Sequence, residues 1–111
     1  MKLEEFKERL EDRCRKLNLP KAKATRQGFS FIKVEIKIRS GVSIEIYFNE
    51  ETQSLTSALV VQDKRIFGID GYPKSGLWHV HPFGKVDEHL GISPMQIEEI
   101  LGEYAKVLQQ L

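Results

Sequence analysis

Two runs of alternating apolar and polar residues lie between residues 32 and 48, and they constrain the fold more than any other feature of the chain. In the first run apolar residues occupy every second position up to Ile38, and in the second they do so from Val42 onward. A period of two is typical of strands with one buried face. Only Ser40 and Gly41 clearly belong to the link, and so short a link predicts an antiparallel hairpin.

Three further strands are predicted after this hairpin, over residues 54–62, 65–69 and 77–81. Irregular segments rich in charge or in turn formers are predicted at residues 21–28, 70–76 and 82–92. All links between the strands are short, and short links cannot carry the crossovers that parallel strands require. The sequence therefore predicts an antiparallel meander of five strands.

Amphipathic stripes at the two ends of the chain predict two helices. Residues 3–17 carry apolar side chains at spacings of three and four. Cys14 belongs to this stripe, so we expect a small core side chain rather than a nucleophile. Asn18 can adopt the left-handed conformation that ends a helix. Residues 93–96 (Ser-Pro-Met-Gln) predict the start of a second helix that runs to the C-terminus.

The apolar faces of the first two strands need cover, and the two helices can supply it. We therefore expect an α+β fold in which an N-terminal and a C-terminal helix pack on one face of a five-stranded antiparallel meander sheet. The 111 residues fit a single domain, residues 1–111, with one modest core. The opposite face is expected to be polar and partly open, with Lys33 and Lys37 among its side chains.

The composition favours a cytoplasmic protein. The single cysteine cannot form an internal disulfide, so a reducing compartment is the default expectation. No apolar run approaches the length of a membrane span, and the first residues have no signal-peptide core. We therefore expect neither export nor a membrane partner.

Residues 76–84 (Gly-Leu-Trp-His-Val-His-Pro-Phe-Gly) hold two of the three histidines. A strand here places His79 and His81 on one face and Trp78 and Val80 on the other. Histidine is the one side chain that changes charge near neutral pH without help from its surroundings. The pair could therefore bind a metal, move a proton or contact a phosphate, and if Trp78 and Val80 face the core, both imidazoles lie on the open face.

A metal site is the first interpretation of the pair. Catalytic zinc needs three protein ligands and one open position. The residues that could serve as ligands are His79, His81, Asp87, Glu88 and His89. No third ligand stands at a recognisable spacing, so we expect no tightly bound zinc and no other cofactor.

Metal-free acid–base chemistry on an RNA phosphodiester is the second interpretation. One imidazole would take the proton of a ribose 2′-hydroxyl and the other would protonate the leaving oxygen. A cation on a neighbouring strand, from among Lys33, Lys37 and Arg65, would hold the phosphate. The third interpretation is structural: the histidines make cross-strand hydrogen bonds or line a protein interface.

The region from about residue 30 to residue 111 resembles the TumE family of prokaryotic toxin-antitoxin proteins. The resemblance lies in the alternating hairpin, residues 67–71 (Phe-Gly-Ile-Asp-Gly), residues 79–82 (His-Val-His-Pro) and the helix start at residues 93–96. It implies a cytoplasmic toxin-like component that pairs with a helix-turn-helix antitoxin. The site positions that the resemblance assigns to this chain are Asp70 and the histidine pair, and it implies no particular reaction. With Lys37 included as the residue that contacts the phosphate, the predicted catalytic residues are His79, His81, Asp70 and Lys37.

A second resemblance is to JAMM metalloproteases, whose pattern is Gly-x-x-His-x-His-Pro followed by Ser-x-x-Asp. Gly76, His79, His81 and Pro82 match the first part. Gln96 stands where the metal-binding aspartate should be, and the spacing from the histidines to the serine is too long. The leading expectation is therefore a toxin-like protein acting on RNA, and the alternative is a non-catalytic, homo-oligomeric protein-binding module.

Overall fold

The computed structural model describes all 111 residues, which form two helices, seven strands and one short 3-10 turn. The helices are α1 (Leu3–Lys16) and α2 (Ile97–Leu108). The strands are β1 (Lys23–Gln27), β2 (Phe31–Arg39), β3 (Val42–Asn49), β4 (Leu55–Val61), β5 (Lys64–Tyr72), β6 (Leu77–His81) and β7 (Leu90–Gly91). The 3-10 turn spans Pro73–Ser75, between β5 and β6. Neither helix is both long and apolar enough to cross a membrane.

The strands form one open sheet in sequence order, and each pairs antiparallel with the next. The α+β class and the antiparallel meander are therefore confirmed. The β2–β3 hairpin has the predicted link, because Arg39 lies opposite Val42. Gly41 in this link has φ of 77°, a left-handed conformation that glycine adopts without steric cost.

The number of strands was predicted inexactly, since the sheet has seven strands and not five. All five residues of β1 are exposed, and they show no apolar alternation because this edge strand is held only through its pairing with β2. The two residues of β7 are also exposed, and they pair with His79 and Val80. A strand that buries no side chains leaves no periodic signal in the sequence.

Strand β5 extends through Asp70 and Gly71, where the sequence predicted a loop. Both are turn formers in isolation, but here each pairs with residues on both sides: Asp70 lies opposite Thr56 of β4 and His79 of β6. Residues 67–71 are all buried. This strand is therefore covered on both faces, and Asp70 is held inside the sheet rather than at a turn.

The helix ends agree with the sequence at one terminus and differ at another. Asn18 has φ of 57°, so its predicted left-handed conformation is confirmed. Helix α2 begins later than predicted, because Gln96 is its N-cap and forms a capping box with Glu99. In α1, Cys14 is buried, and burial, aided by the charge of Glu11, raises the pKa of its thiol to about 11.

The buried apolar residues form one continuous cluster. Phe6 of α1 stacks on Phe48 of β3 at 4.7 Å between ring centroids, and Tyr104 of α2 meets Phe67 of β5 edge-on at 5.2 Å. Phe48 and Phe67 share a face of the sheet, since their partners on β4 are four residues apart. Each helix thus contacts an aromatic side chain on this face.

An ion pair joins the two helices. Arg9 of α1 donates to both carboxylate oxygens of Glu98 in α2, at 2.8 Å from Nε and 2.6 Å from Nη2. Arg13 Nε also donates to the backbone oxygen of Glu98, at 3.1 Å. The hydrogen bond from Arg9 lowers the pKa of the Glu98 carboxyl, although burial opposes this shift.

The helix–sheet arrangement predicts a large cost for truncating α2 in the core. Leu101 is fully buried, so Leu101→Ala should lower the free energy of unfolding by about 2–5 kcal/mol. Lys106→Ala, on the exposed side of the same helix, should change it by less than about 0.5 kcal/mol. Urea denaturation of both variants measures the difference, and similar small losses would show that α2 does not cover the sheet as described.

The ion pair predicts a pH-dependent contribution to stability. Because Glu98 has a lower pKa in the folded than in the unfolded protein, its contribution is present above the unfolded pKa and disappears as the pH falls through the folded one. Relative to Glu98→Gln, the wild type should lose stability as the pH falls below about 4.3, the usual pKa of a glutamate. The effect should stay below about 1 kcal/mol, since the pair is partly exposed. In thermal melts, Glu103→Gln should keep the wild-type pH profile.

Candidate functional site

The register of β5 and β6 brings the predicted site residues together. Asp70 lies opposite His79, and Gly68 lies opposite His81. Residues two apart on a strand share a face, so both imidazoles and the carboxylate project from the same side of the sheet. Val80 pairs with Ile69, a core residue, and projects to the other side.

The carboxylate of Asp70 is the centre of this group, and it is only 6% exposed. Its Oδ2 lies 3.1 Å from His81 Nε2, 3.4 Å from His79 Nε2 and 3.3 Å from Arg65 Nη2. Its Oδ1 accepts the backbone N–H of Ser57 at 3.2 Å. A buried carboxylate needs such partners, because its loss of hydration is otherwise very costly.

A second set of hydrogen bonds supports Asp70 from the core. Tyr104 of α2 donates from its hydroxyl to Ser57 Oγ at 2.7 Å, and Ser57 Oγ donates to the backbone oxygen of Ile69 at 2.6 Å. Burial raises the pKa of the Tyr104 phenol, so it remains a neutral donor. Helix α2 is thereby tied to the strand position next to Asp70.

The segment between β6 and β7 folds back over His81. Gly84 donates its backbone N–H to the oxygen of Ile66 at 3.2 Å, and His81 Nδ1 lies 2.9 Å from the oxygen of Val86. His81 is therefore only 6% exposed, whereas the sequence suggested a surface imidazole on an open face. The correction follows from this segment, whose path no local pattern predicts.

The hydrogen bonds of His81 specify the chemistry of its ring. A carbonyl oxygen only accepts, so Nδ1 carries a proton and donates it to Val86. The other nitrogen, Nε2, faces the carboxylate of Asp70. The 3.1 Å between Nε2 and Asp70 Oδ2 suits a hydrogen bond, and it also suits two ligands of one cation.

The same segment adds a third imidazole. The ring centroid of His89 lies 4.3 Å from that of His81 and 5.0 Å from that of His79. Potential ligand atoms of these three histidines all lie within 4.8 Å of one another. Asp87, the other predicted ligand in this segment, is exposed and is not part of that cluster. The residues that could hold a metal are therefore His79, His81 and His89.

A groove of about 520 Å³ adjoins Asp70 on the same face. Its lining includes three cationic side chains and two tyrosines: Arg26, Lys33, Arg65, Tyr47 and Tyr72. Burial, followed by the charge of Asp70, raises the pKa of the Tyr72 phenol. The predicted Lys37 is not brought to this groove, and instead lines a separate one with Glu35 and Asp63.

Arg65 reaches Asp70 by crossing over a glycine. A Cβ at Gly68 would lie 2.6 Å from Arg65 Nη2 and 2.8 Å from the backbone oxygen of Ser57. Glycine is therefore required for this close approach. The sequence offered one signal for it, a glycine within an apolar strand, which often marks a place where another group approaches the backbone.

No model of a known protein family, no curated protein and no solved structure matches this chain. The resemblances to TumE proteins and to JAMM metalloproteases therefore stay predictions. The geometry itself supports three kinds of chemistry: proton transfer by imidazoles, anion binding by Arg65 and Lys33, and metal binding by the three histidines.

The crossing of Arg65 over Gly68 predicts a specific sensitivity to substitution. Gly68→Ala should destabilise the protein by about 1–3 kcal/mol, because the added methyl group must displace both Arg65 and the backbone of β4. Gly91→Ala is the control, since a Cβ there meets nothing within 4 Å. Chemical denaturation of both variants tests this, and equal losses would mean that the crossing is not what requires the glycine.

Proposed function

We propose that this protein is a cytoplasmic, toxin-like ribonuclease of the TumE type, and that it cleaves RNA at the centre formed by Asp70 and the surrounding histidines. The observation that supports this most is the shared buried carboxylate of Asp70, which is in contact with His79, His81 and Arg65 beside a groove whose lining includes three cationic and two acidic side chains. Groups with these charges and distances are those that phosphodiester cleavage needs.

Arg65 and Lys33 are proposed to hold the phosphate. The Arg65 side chain is 41% exposed, so it can contact a ligand while its Nη2 remains near Asp70. A guanidinium suits a phosphate because its N–H donors match the phosphate oxygens in pairs. Lys33 lines the same groove and would contact a neighbouring phosphate of the same RNA strand.

Proton transfer is assigned to the two imidazoles that solvent can reach, His79 and His89. In the proposed reaction the ribose 2′-oxygen attacks phosphorus and the bond to the 5′-oxygen breaks. One imidazole takes the 2′-hydroxyl proton and the other protonates the leaving oxygen. The products are a 2′,3′-cyclic phosphate and a 5′-hydroxyl end.

His81 and Asp70 are proposed to position the reacting groups rather than to exchange protons with substrate. Both side chains are less than a tenth exposed, and both ring nitrogens of His81 already have partners. A carboxylate that fixes imidazole and guanidinium orientations limits their motion before the reaction begins.

A non-catalytic binding module is the second candidate function, and one observation favours it. Strand β1 is an edge strand whose five residues are all exposed. Such an edge can pair with a strand of another chain. In that case a second copy of the protein would bind there, whereas the ribonuclease proposal implies a helix-turn-helix antitoxin as the partner.

The ribonuclease proposal predicts that activity and stability separate at His79. His79→Ala should reduce RNA cleavage roughly a hundredfold or more, with little change in melting temperature, because this ring is partly exposed. His81→Ala should lower both, since it leaves a buried carboxylate with fewer partners. Cleavage of single-stranded RNA, growth inhibition on expression, and thermal melts measure these effects.

Two lysines on the same face of β2 provide a matched comparison. Lys33→Ala should weaken cleavage because Lys33 lines the groove beside Asp70, whereas Lys37→Ala should retain it because Lys37 lies in another groove. The reverse result would restore the sequence-based assignment of Lys37. A wild type that neither cleaves RNA nor slows growth, but forms dimers in size-exclusion chromatography, would contradict the ribonuclease proposal and favour the binding module.

A further inference from the structure

We infer that His79, His81 and His89 form a binding site for one divalent transition-metal ion of the zinc class, with Asp70 as an oxygen donor. This inference goes beyond ribonuclease activity and does not depend on it. The expectation of no zinc rested on the absence of a third ligand at a recognisable spacing. The segment after β6 removes that objection, since it brings His89 beside the other two histidines.

The distances in the cluster suit a tetrahedral ion. Zinc binds imidazole nitrogen and carboxylate oxygen at about 2.0–2.2 Å, which places neighbouring ligand atoms of a tetrahedral site about 3.3–3.6 Å apart. Asp70 Oδ2 lies 3.4 Å from His79 Nε2 and 3.1 Å from His81 Nε2. Potential ligand atoms of the three imidazoles lie within 4.8 Å of one another, and this group does not include Asp70, so the exposed His89 must move toward Asp70 when the ion binds.

The hydrogen bonds of His81 point to the same ion. Its Nδ1 is already oriented by the oxygen of Val86, at 2.9 Å. Metal-binding histidines usually donate their second ring N–H to such a carbonyl, which leaves the Nε2 lone pair for the metal. An ion at this position would contact the Nε2 lone pair and the Asp70 carboxylate together.

The donor set also indicates which ions bind. Three imidazole nitrogens and one carboxylate oxygen suit Zn²⁺, Co²⁺ and Ni²⁺, whereas Mg²⁺ and Ca²⁺ prefer oxygen ligands. Arg65 competes for the same oxygen, since its Nη2 lies 3.3 Å from Asp70 Oδ2. Its side chain is partly exposed and can move away when an ion enters.

Metal titration in the absence of RNA tests the site. The protein is purified without a histidine tag, stripped with a chelator and titrated with Co²⁺ by visible absorption and with Zn²⁺ by calorimetry. We expect one ion per chain, the absorption of tetrahedral Co²⁺, and no comparable binding of Mg²⁺. His89→Ala should weaken binding roughly tenfold or more, while Asp87→Ala, an exposed carboxylate in the same segment, should bind as the wild type does.

Two further variants make the test specific. Arg65→Met should tighten binding, because it removes the cation that competes for Asp70, and weaker binding would contradict the assignment of Asp70 as a donor. His79→Ala should weaken binding as His89→Ala does. The inference is wrong if the wild type binds no ion, or if His89→Ala and Asp87→Ala bind equally well.

RNA cleavage by the loaded protein separates this inference from the proposed function. An ion on His79 uses the lone pair that proton transfer requires, so added Zn²⁺ should slow cleavage in the wild type. Faster cleavage would overturn the proton-transfer role of His79 while supporting the metal site. Metal binding by a protein that cleaves no RNA would overturn the ribonuclease proposal and leave the metal site supported.

Discussion

The buried carboxylate of Asp70 is the interaction on which the rest of this structure depends. A charge so far from water must be matched by donors from several directions, and here they come from β4, from β5 itself and from β6. Each donor restricts another part of the fold: the path of Arg65 requires Gly68, and covering His81 requires the segment that follows β6. The need to compensate this buried charge therefore constrains both the site and the fold at this end of the sheet.

Strand β5 can meet that requirement because it is covered on both faces. Its core side packs against α2 through Phe67 and Tyr104, and its opposite side carries Gly68 and Asp70 under the site residues. The hydrogen bonds of Tyr104 and Ser57 connect the two sides of the strand. A change in the core beneath β5 would thus be transmitted to Asp70 through the position of the strand.

The elements that the sequence predicted correctly are those whose signal is local. The hairpin of β2 and β3, the bounds of β6 and the stripe of α1 each follow from periodicity within a few residues. Strand β1 and the pairing of Asp70 depend on neighbouring strands, and turn chemistry at Asp70-Gly71 was overridden by tertiary contacts. The histidine pair could be placed from its spacing, but His89 joins it only through the path of the loop after β6. Lys33 and Lys37 share a face of β2 and differ in their position along the strand, so the sequence could not show which of them lies beside Asp70.

The sequential order of the strands has a consequence for how the chain is made. Each strand pairs with the one synthesised just before it, so most of the sheet can assemble while the polypeptide is still leaving the ribosome. The histidines and Tyr104 belong to the last third of the chain, and Arg9 finds its partner Glu98 only there. The cluster of Asp70 and the histidines can therefore form only after these later residues have been synthesised, and a chain truncated before residue 79 would hold part of the sheet without that cluster.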